Sequence, residues 1–211
     1  MSDENKIKIA ILGGGRCGKT SILSRYFKKQ FNWEEESTVN PSFHQITVNH
    51  KEKNYKITFY DTYGYKEFNA INYLYYSNCD GALLVYDVNF FETFEEVKNW
   101  IKTLHETVEK DLSIVILGNK FDLSYRNIIK QNAPEIDLYC SKEHCIHFYT
   151  SAKTGYNIDE AYETLINSIF IKLSNTIHLN YRRRGKKLEI SLYLAQILYN
   201  QFVHCYLYQT F

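Results

Sequence analysis

The loop Gly13-Gly14-Gly15-Arg16-Cys17-Gly18-Lys19-Thr20 limits what this 211-residue chain can fold into more than any other stretch. It fits the pattern G-x-x-x-x-G-K-[ST], which requires a strand before it and a helix after it. The apolar run Ile9-Ala10-Ile11-Leu12 supplies the strand, and Ile22, Leu23, Tyr26 and Phe27 fall on one side of a helix predicted over Thr20–Gln30. Backbone N–H groups of such a loop can surround a phosphate, and glycine allows the positive φ and close approach this needs. The start of the following helix, near Gly18, adds its positive dipole end. Lys19 is suited to neutralise β- and γ-phosphates, the Thr20 hydroxyl to ligate Mg²⁺, and Ser21 follows on the same turn. These residues point to a nucleotide ligand without saying which base it carries.

The rest of the chain alternates strand-like and helix-like segments. Phe43–Val48 and Tyr55–Tyr60 read as two strands of a hairpin joined by Asn49–Asn54, while Asn32–Asn40 is polar and acidic and reads as a loop. Gly81–Val85 and Ile114–Leu117 are continuous apolar runs, as interior parallel strands require. Phe94, Val97, Ile101 and Leu104 recur at helical spacing, as do Ile158, Ala161, Leu165 and Ile169. The alternation predicts a mostly parallel sheet with helices on both faces. Hydrophobic content of 45% is enough to bury such a core, and a net charge of +1 gives no general attraction to nucleic acid.

Three further motifs stand at predicted strand ends. Asp61-Thr62-Tyr63-Gly64 follows the second hairpin strand, Asn119-Lys120-Phe121-Asp122 follows Ile114–Leu117, and Ser151-Ala152-Lys153 follows a short strand at His147–Thr150. A carboxylate placed like Asp61 suits Mg²⁺. In this order and spacing the four motifs resemble the Ras superfamily of small GTPases, from about Lys6 to about Leu173. The resemblance implies a three-layer α/β domain of the Ras-like phosphate-loop type, its sheet six-stranded and mostly parallel with one antiparallel edge strand. It implies GTP and GDP as ligands and Mg²⁺ as cofactor. It also implies effector, exchange-factor and GTPase-activating partners acting through two switch segments.

Residue by residue, the resemblance assigns the guanine N1–H and N2 amine to Asp122, the other edge of the base to Asn119, and guanine O6 to the backbone N–H of Ala152. Lys120 and Lys153 would sandwich the base, with Phe31 against it and Ser151 beside it. A buried carboxylate left unpaired by adenine penalises ATP. Thr38 would ligate Mg²⁺ and touch the γ-phosphate, and the N–H of Gly64 would reach the same phosphate. Losing that phosphate would release both segments, the basis of a two-state switch. Gln30-Phe31, Glu36-Ser37-Thr38-Val39, Tyr75-Tyr76, Val85-Tyr86-Asp87-Val88 and Trp100 are similar to the Rab branch, regulators of vesicle traffic.

Two departures stand out. Where the family has Asp-Thr-Ala-Gly-Gln-Glu, this chain has Asp61-Thr62-Tyr63-Gly64-Tyr65-Lys66. Tyr65 replaces the glutamine that orients the attacking water, and a phenol cannot bridge water and phosphate as an amide does. The resemblance therefore implies a GTPase site formed by Lys19, Thr38, Gly64 and Tyr65 with slow hydrolysis. A scaffold that binds GTP persistently is the alternative, and the guanine motif disfavours a phosphotransferase. The second departure is the tail, in which Rab-like cysteines near the end are missing and Cys205 lies outside any C-a-a-X position. Residues 1–174 are expected to form the nucleotide-binding domain, and 175–211 an extension. The basic cluster Arg182-Arg183-Arg184-Gly185-Lys186-Lys187 followed by the apolar-rich 188–211 suits an anionic membrane surface, a fold-back onto the domain, or a gene end that never evolved to fold.

Five cysteines with no regular spacing, and a start at Met1-Ser2-Asp3-Glu4 unlike a signal peptide, lead to an expectation of reduced thiols in the cytoplasm, peripheral to an endomembrane. Cys140, His144, Cys145 and His147 cluster, but the alternation Cys145-Ile146-His147-Phe148 reads as the beginning of a strand rather than as zinc ligands.

Overall fold

The computed structural model describes residues 5–33, 42–64, 69–108, 111–124 and 126–183. Glu34–Glu36, Thr38, Tyr65 and the tail beyond Arg183 therefore lie outside the described residues. Along the chain run β1 (Lys6–Gly13), α1 (Lys19–Lys28), β2 (Ser42–His50), β3 (Lys53–Asp61), α2 (Asn69–Tyr76), β4 (Gly81–Asp87) and α3 (Glu92–Thr107). They are followed by β5 (Ser113–Asn119), a short 3₁₀ turn at Phe121–Leu123, α4 (Arg126–Lys142), β6 (Ile146–Tyr149) and α5 (Ile158–Arg183).

The six strands form one sheet in the order β2-β3-β1-β4-β5-β6. Every neighbouring pair is parallel except β2 with β3. The predicted mostly parallel sheet with one antiparallel edge strand is what the chain forms. All seven residues of β4 and all seven of β5 are buried, which explains why both read as unbroken apolar runs. Alternate residues of β1 serve the two faces. Ala10 and Leu12 join Leu84, Ile116, Phe94, Val97, Ile101 and Leu104 in one core cluster. On the sheet's other side Phe59 and Tyr26 meet Tyr162, whose ring stacks on Tyr26 at 3.9 Å.

Two boundaries differ from the sequence reading. The helix predicted to reach Gln30 stops at Lys28, because Lys29 takes a left-handed conformation (φ 55°) and its N–H caps Arg25 O. The predicted Asn49–Asn54 connection is far shorter. Lys51 and Glu52 alone turn the chain, both at positive φ, while Asn49 pairs with Asn54 across the ladder, Nδ2 donating to Oδ1 at 2.9 Å.

The chain divides into two compact units, Met1–Lys172 and Leu173–Phe211. The boundary predicted after residue 174 falls within α5, so Arg182 and Arg183 belong to a helix. No helix among the described residues is long and apolar enough to cross a membrane. Cys140 is buried in the core cluster, and His147 shares a 3.0 Å hydrogen bond with the Tyr86 hydroxyl, its enclosure holding the imidazole down at about 3. Both residues are engaged in packing.

Candidate nucleotide-binding site

The loops at the C-terminal ends of β1, β3, β5 and β6 converge on one side of the sheet, and each is tied to a neighbour. Gly13 closes β1 at φ 141°, where a Cβ would stand 2.1 Å from Val85 O of β4. No other residue fits there. The loop then turns into α1, and Lys19, in its first turn, is buried with Nζ donating to Gly13 O at 3.0 Å and Gly14 O at 2.8 Å. Burial lowers the Lys19 pKa, while Cys17, Asp61 and Glu96 pull it the other way. Within the loop Cys17 is buried, and burial raises its thiol, which keeps it protonated. Arg16 is exposed at φ 62° and borders the cavity.

Asp61 ends β3 fully buried, and the Thr20 hydroxyl donates to its Oδ2 at 2.7 Å. The neighbouring Thr62 hydroxyl donates to Ile11 O at 2.6 Å, fixing the start of the 62–64 segment against β1. Gly64 is thereby brought so close that a Cβ there would lie 2.6 Å from Lys19 Nζ and 2.7 Å from Gly15 Cα.

At the other end, Lys120 takes a left-handed conformation (φ 65°) after β5 and ion-pairs with the buried Asp87 at 2.8 Å. Asn119 bridges two loops: its Nδ2 donates to Cys17 O at 2.9 Å and its Oδ1 accepts from Ala152 N–H at 3.1 Å. The two groups expected to meet the base edge thus meet each other in this structure. Ser151 Oγ donates to Asp122 Oδ1 at 2.5 Å and accepts from Thr154 N–H at 3.1 Å, while Lys153 Nζ lies 3.9 Å from Asp122 Oδ2.

Between the two ends lies a cavity of 290 Å³, with Gly15, Lys19, Thr20 and Gly64 lining one part and Asp122 and Lys153 another. Gly18, Ser21, Phe31, Asn119, Lys120 and Ala152 also border it. Most of the predicted nucleotide residues are therefore brought together around one space, and Thr38 and Tyr65 lie outside the described residues.

Two contributors went unread in the sequence. Arg25 of α1 reaches the base end, its Nε donating to Ala152 O at 2.6 Å and its guanidinium also to Lys153 O and, at 2.8 Å, to Lys29 O. That contact spans 127 residues, and no local pattern announces it. Trp33 lines the cavity too. Its signal was available, as the one aromatic residue in the otherwise polar stretch 32–40.

A glycine-rich loop joining a strand to a helix, with a buried lysine and with carboxylates at two further strand ends, defines a phosphate-loop nucleotide-binding protein. A profile of the Ras family matches residues 8–171. The chain is 35% identical to the Ras-related protein Rab-21 of Dictyostelium discoideum, covering 88% of each. It is 33% identical to the GTP-binding protein YPT53 of Saccharomyces cerevisiae over 81% of this chain and 79% of that protein. It is 30% identical to the Ras-related protein rab-11.1 of Caenorhabditis elegans, over 84% and 83% respectively. The chain belongs to the Ras superfamily of small GTPases, in its Rab branch.

Proposed function

We propose that this chain is a guanine-nucleotide switch that regulates vesicle traffic at the cytosolic face of an endomembrane and hydrolyses GTP slowly. One observation carries the guanine reading: Asp122 stands at one end of a cavity whose other end is the phosphate loop, and Ser151 and Lys153 hold its carboxylate. Such a carboxylate accepts the paired donors of guanine and meets none on adenine. Lys120 and Lys153 flank the base, Phe31 stands against it, and the N–H groups of Gly13–Thr20 with Lys19 take the phosphates. To serve guanine O6, the Ala152 N–H must exchange its bond to Asn119 for one to the base.

Thr20 and Asp61 place hydroxyl and carboxylate oxygens 2.7 Å apart beside Lys19, a donor set that fits a hard divalent cation. With Thr38 they would hold Mg²⁺, which when bound neutralises phosphate charge. Gly64 would sense a terminal phosphate through its N–H, a role supported by its close approach to Lys19 and Gly15. Effectors, exchange factors and GTPase-activating proteins engage the two switch segments, and the basic, apolar-rich tail contributes any membrane contact.

Slow turnover rests on Tyr65. The test begins with identifying the nucleotide that co-purifies with the protein, expected to be GDP or GTP, and continues with single-turnover GTP hydrolysis. Tyr65→Gln is expected to raise the rate by about tenfold or more, since hydrolysis depends on positioning. Co-purified adenine nucleotide would overturn the guanine reading. No gain in Tyr65→Gln would assign the slow step elsewhere, and no hydrolysis even in that variant would favour a persistent GTP-bound scaffold.

A further inference from the structure

The chain leaves α1 through the left-handed Lys29 and then runs along the cavity rim as Phe31-Asn32-Trp33. Trp33 is 69% exposed, an unusual position for an indole whose surface is mostly apolar. Two aromatic contacts are made to it among the described residues. Phe31 meets it edge-on, with ring centroids 5.1 Å apart and planes at 83°. Lys153 places its ammonium 4.5 Å from the indole centroid while lying 3.9 Å from Asp122 Oδ2. One face of the indole thus carries a cation that is also held by the base-reading carboxylate.

Two rings at right angles cannot both stack on the same face of a planar base. They can cover two different surfaces of a nucleoside, one the base and the other the sugar. Both rings line the cavity, Phe31 half-buried and the indole exposed. We propose that Trp33 is a second aromatic wall of the nucleotide site, packing on the ribose side of a bound guanine nucleoside and slowing its release. This rests on the guanine-nucleotide reading above. Because the contact is to the nucleoside and not to the terminal phosphate, it acts equally on the di- and triphosphate. Removing the indole also takes from the Lys153 ammonium its contact with the ring, which loosens the base end of the site.

The test measures release of tritiated GDP and of a tritiated, non-hydrolysable GTP analogue from the full chain, the ribose left unlabelled by any bulky dye. Trp33→Ala is expected to speed release of both nucleotides by the same factor, roughly tenfold, in line with aromatic contacts to nucleosides. Trp33→Phe is expected to fall between. A second readout uses Trp100→Phe, which leaves Trp33 as the remaining one of the chain's two tryptophans. In that variant, acrylamide quenching of the indole is expected to drop on adding GDP. Release from Trp33→Ala within twofold of the unmutated protein would overturn the proposal while leaving guanine binding intact. So would quenching that GDP does not change, which decides the matter even if Trp33→Ala fails to fold. An unmutated protein that retains no guanine nucleotide would overturn the underlying reading first and this proposal with it.

Discussion

The nucleotide end of the sheet and the outer β2–β3 hairpin are built on opposite principles. At the nucleotide end, polar groups are buried and engaged: Lys19, Asp61, Thr62, Asp87, Asn119 and Ser151 are all buried, and their bonds link β1, β3, β4, β5 and the loop after β6. On the hairpin, β2 alternates half-buried and exposed residues and has no buried position, and Phe43 is 62% exposed. A buried polar bond costs more to break than it contributes when intact, because the abandoned partner has lost water as well. The first region is therefore intolerant of single changes and the second is forgiving. The same contrast separates a site that must hold a ligand in register from a surface that only has to remain folded.

The sharpest way to break this comparison is Asp122→Ala. It removes the carboxylate that Ser151 and Lys153 hold, and with it the paired acceptor proposed for guanine. Charge-assisted bonds to a ligand are among the strong ones, so guanine-nucleotide affinity is expected to fall by about 3 kcal/mol or more, beyond a hundredfold. Calorimetry would measure it. An affinity within twofold of the unmutated protein, or equal binding of ATP and GTP, would show that the buried polar end does not read the base.

Arg25→Ala is expected to have a smaller effect. Its guanidinium spans from α1 to the carbonyls of Ala152 and Lys153, tying the helix after the phosphate loop to the loop at the base. Hydrogen bonds from a charged group contribute about 1.5–3 kcal/mol in buried settings, and partial exposure here brings the expectation to about 1–2 kcal/mol. Denaturant unfolding and GDP release should both move. Lost stability with unchanged release would mean that Arg25 only packs, and that the two loops do not depend on each other.

What the sequence disclosed follows the same division. Interior strands were legible because a strand buried on both faces must be apolar throughout, as Gly81–Val85 and Ile114–Leu117 are. The candidate nucleotide residues could be picked out because phosphate and base chemistry demand particular side chains at fixed distances from strand ends, and most of them line one cavity. The hairpin connection was misjudged because Lys51-Glu52 lacks the Asn-Gly or Asp-Gly signal of a two-residue turn. Tertiary pairing of nine residues on each strand imposes the turn instead. Arg25 was missed because its partners Ala152 and Lys153 are distant in sequence, and only the fold brings it to the loop at the base end. Trp33 was missed although its aromatic ring stood out locally, because nothing in the sequence says that the stretch around it borders the cavity.

The smallest effect is expected on the hairpin itself. Phe43 lies on β2 opposite Tyr60, with ring centroids 6.5 Å apart, and Tyr60 in turn meets Tyr75 of α2 at 5.5 Å. These rings touch at a surface where Phe43 still shows most of its area to water, so removing it creates no cavity and strands no polar group. Phe43→Ser is therefore expected to change unfolding free energy by no more than about 0.5 kcal/mol, the usual range for exposed positions. GDP release should not change, since the side-chain bonds described for the nucleotide frame join β1, β3, β4, β5 and the loop after β6, and the Phe43 side chain makes none of them. The antiparallel ladder with β3 keeps its backbone hydrogen bonds whatever side chain stands at residue 43, and serine tolerates an extended backbone. A loss above 1 kcal/mol, or faster release, would show that the aromatic face of the hairpin is coupled to the core. The nucleotide end would then depend on the hairpin, and the separation between the two regions would fail at its weakest predicted point.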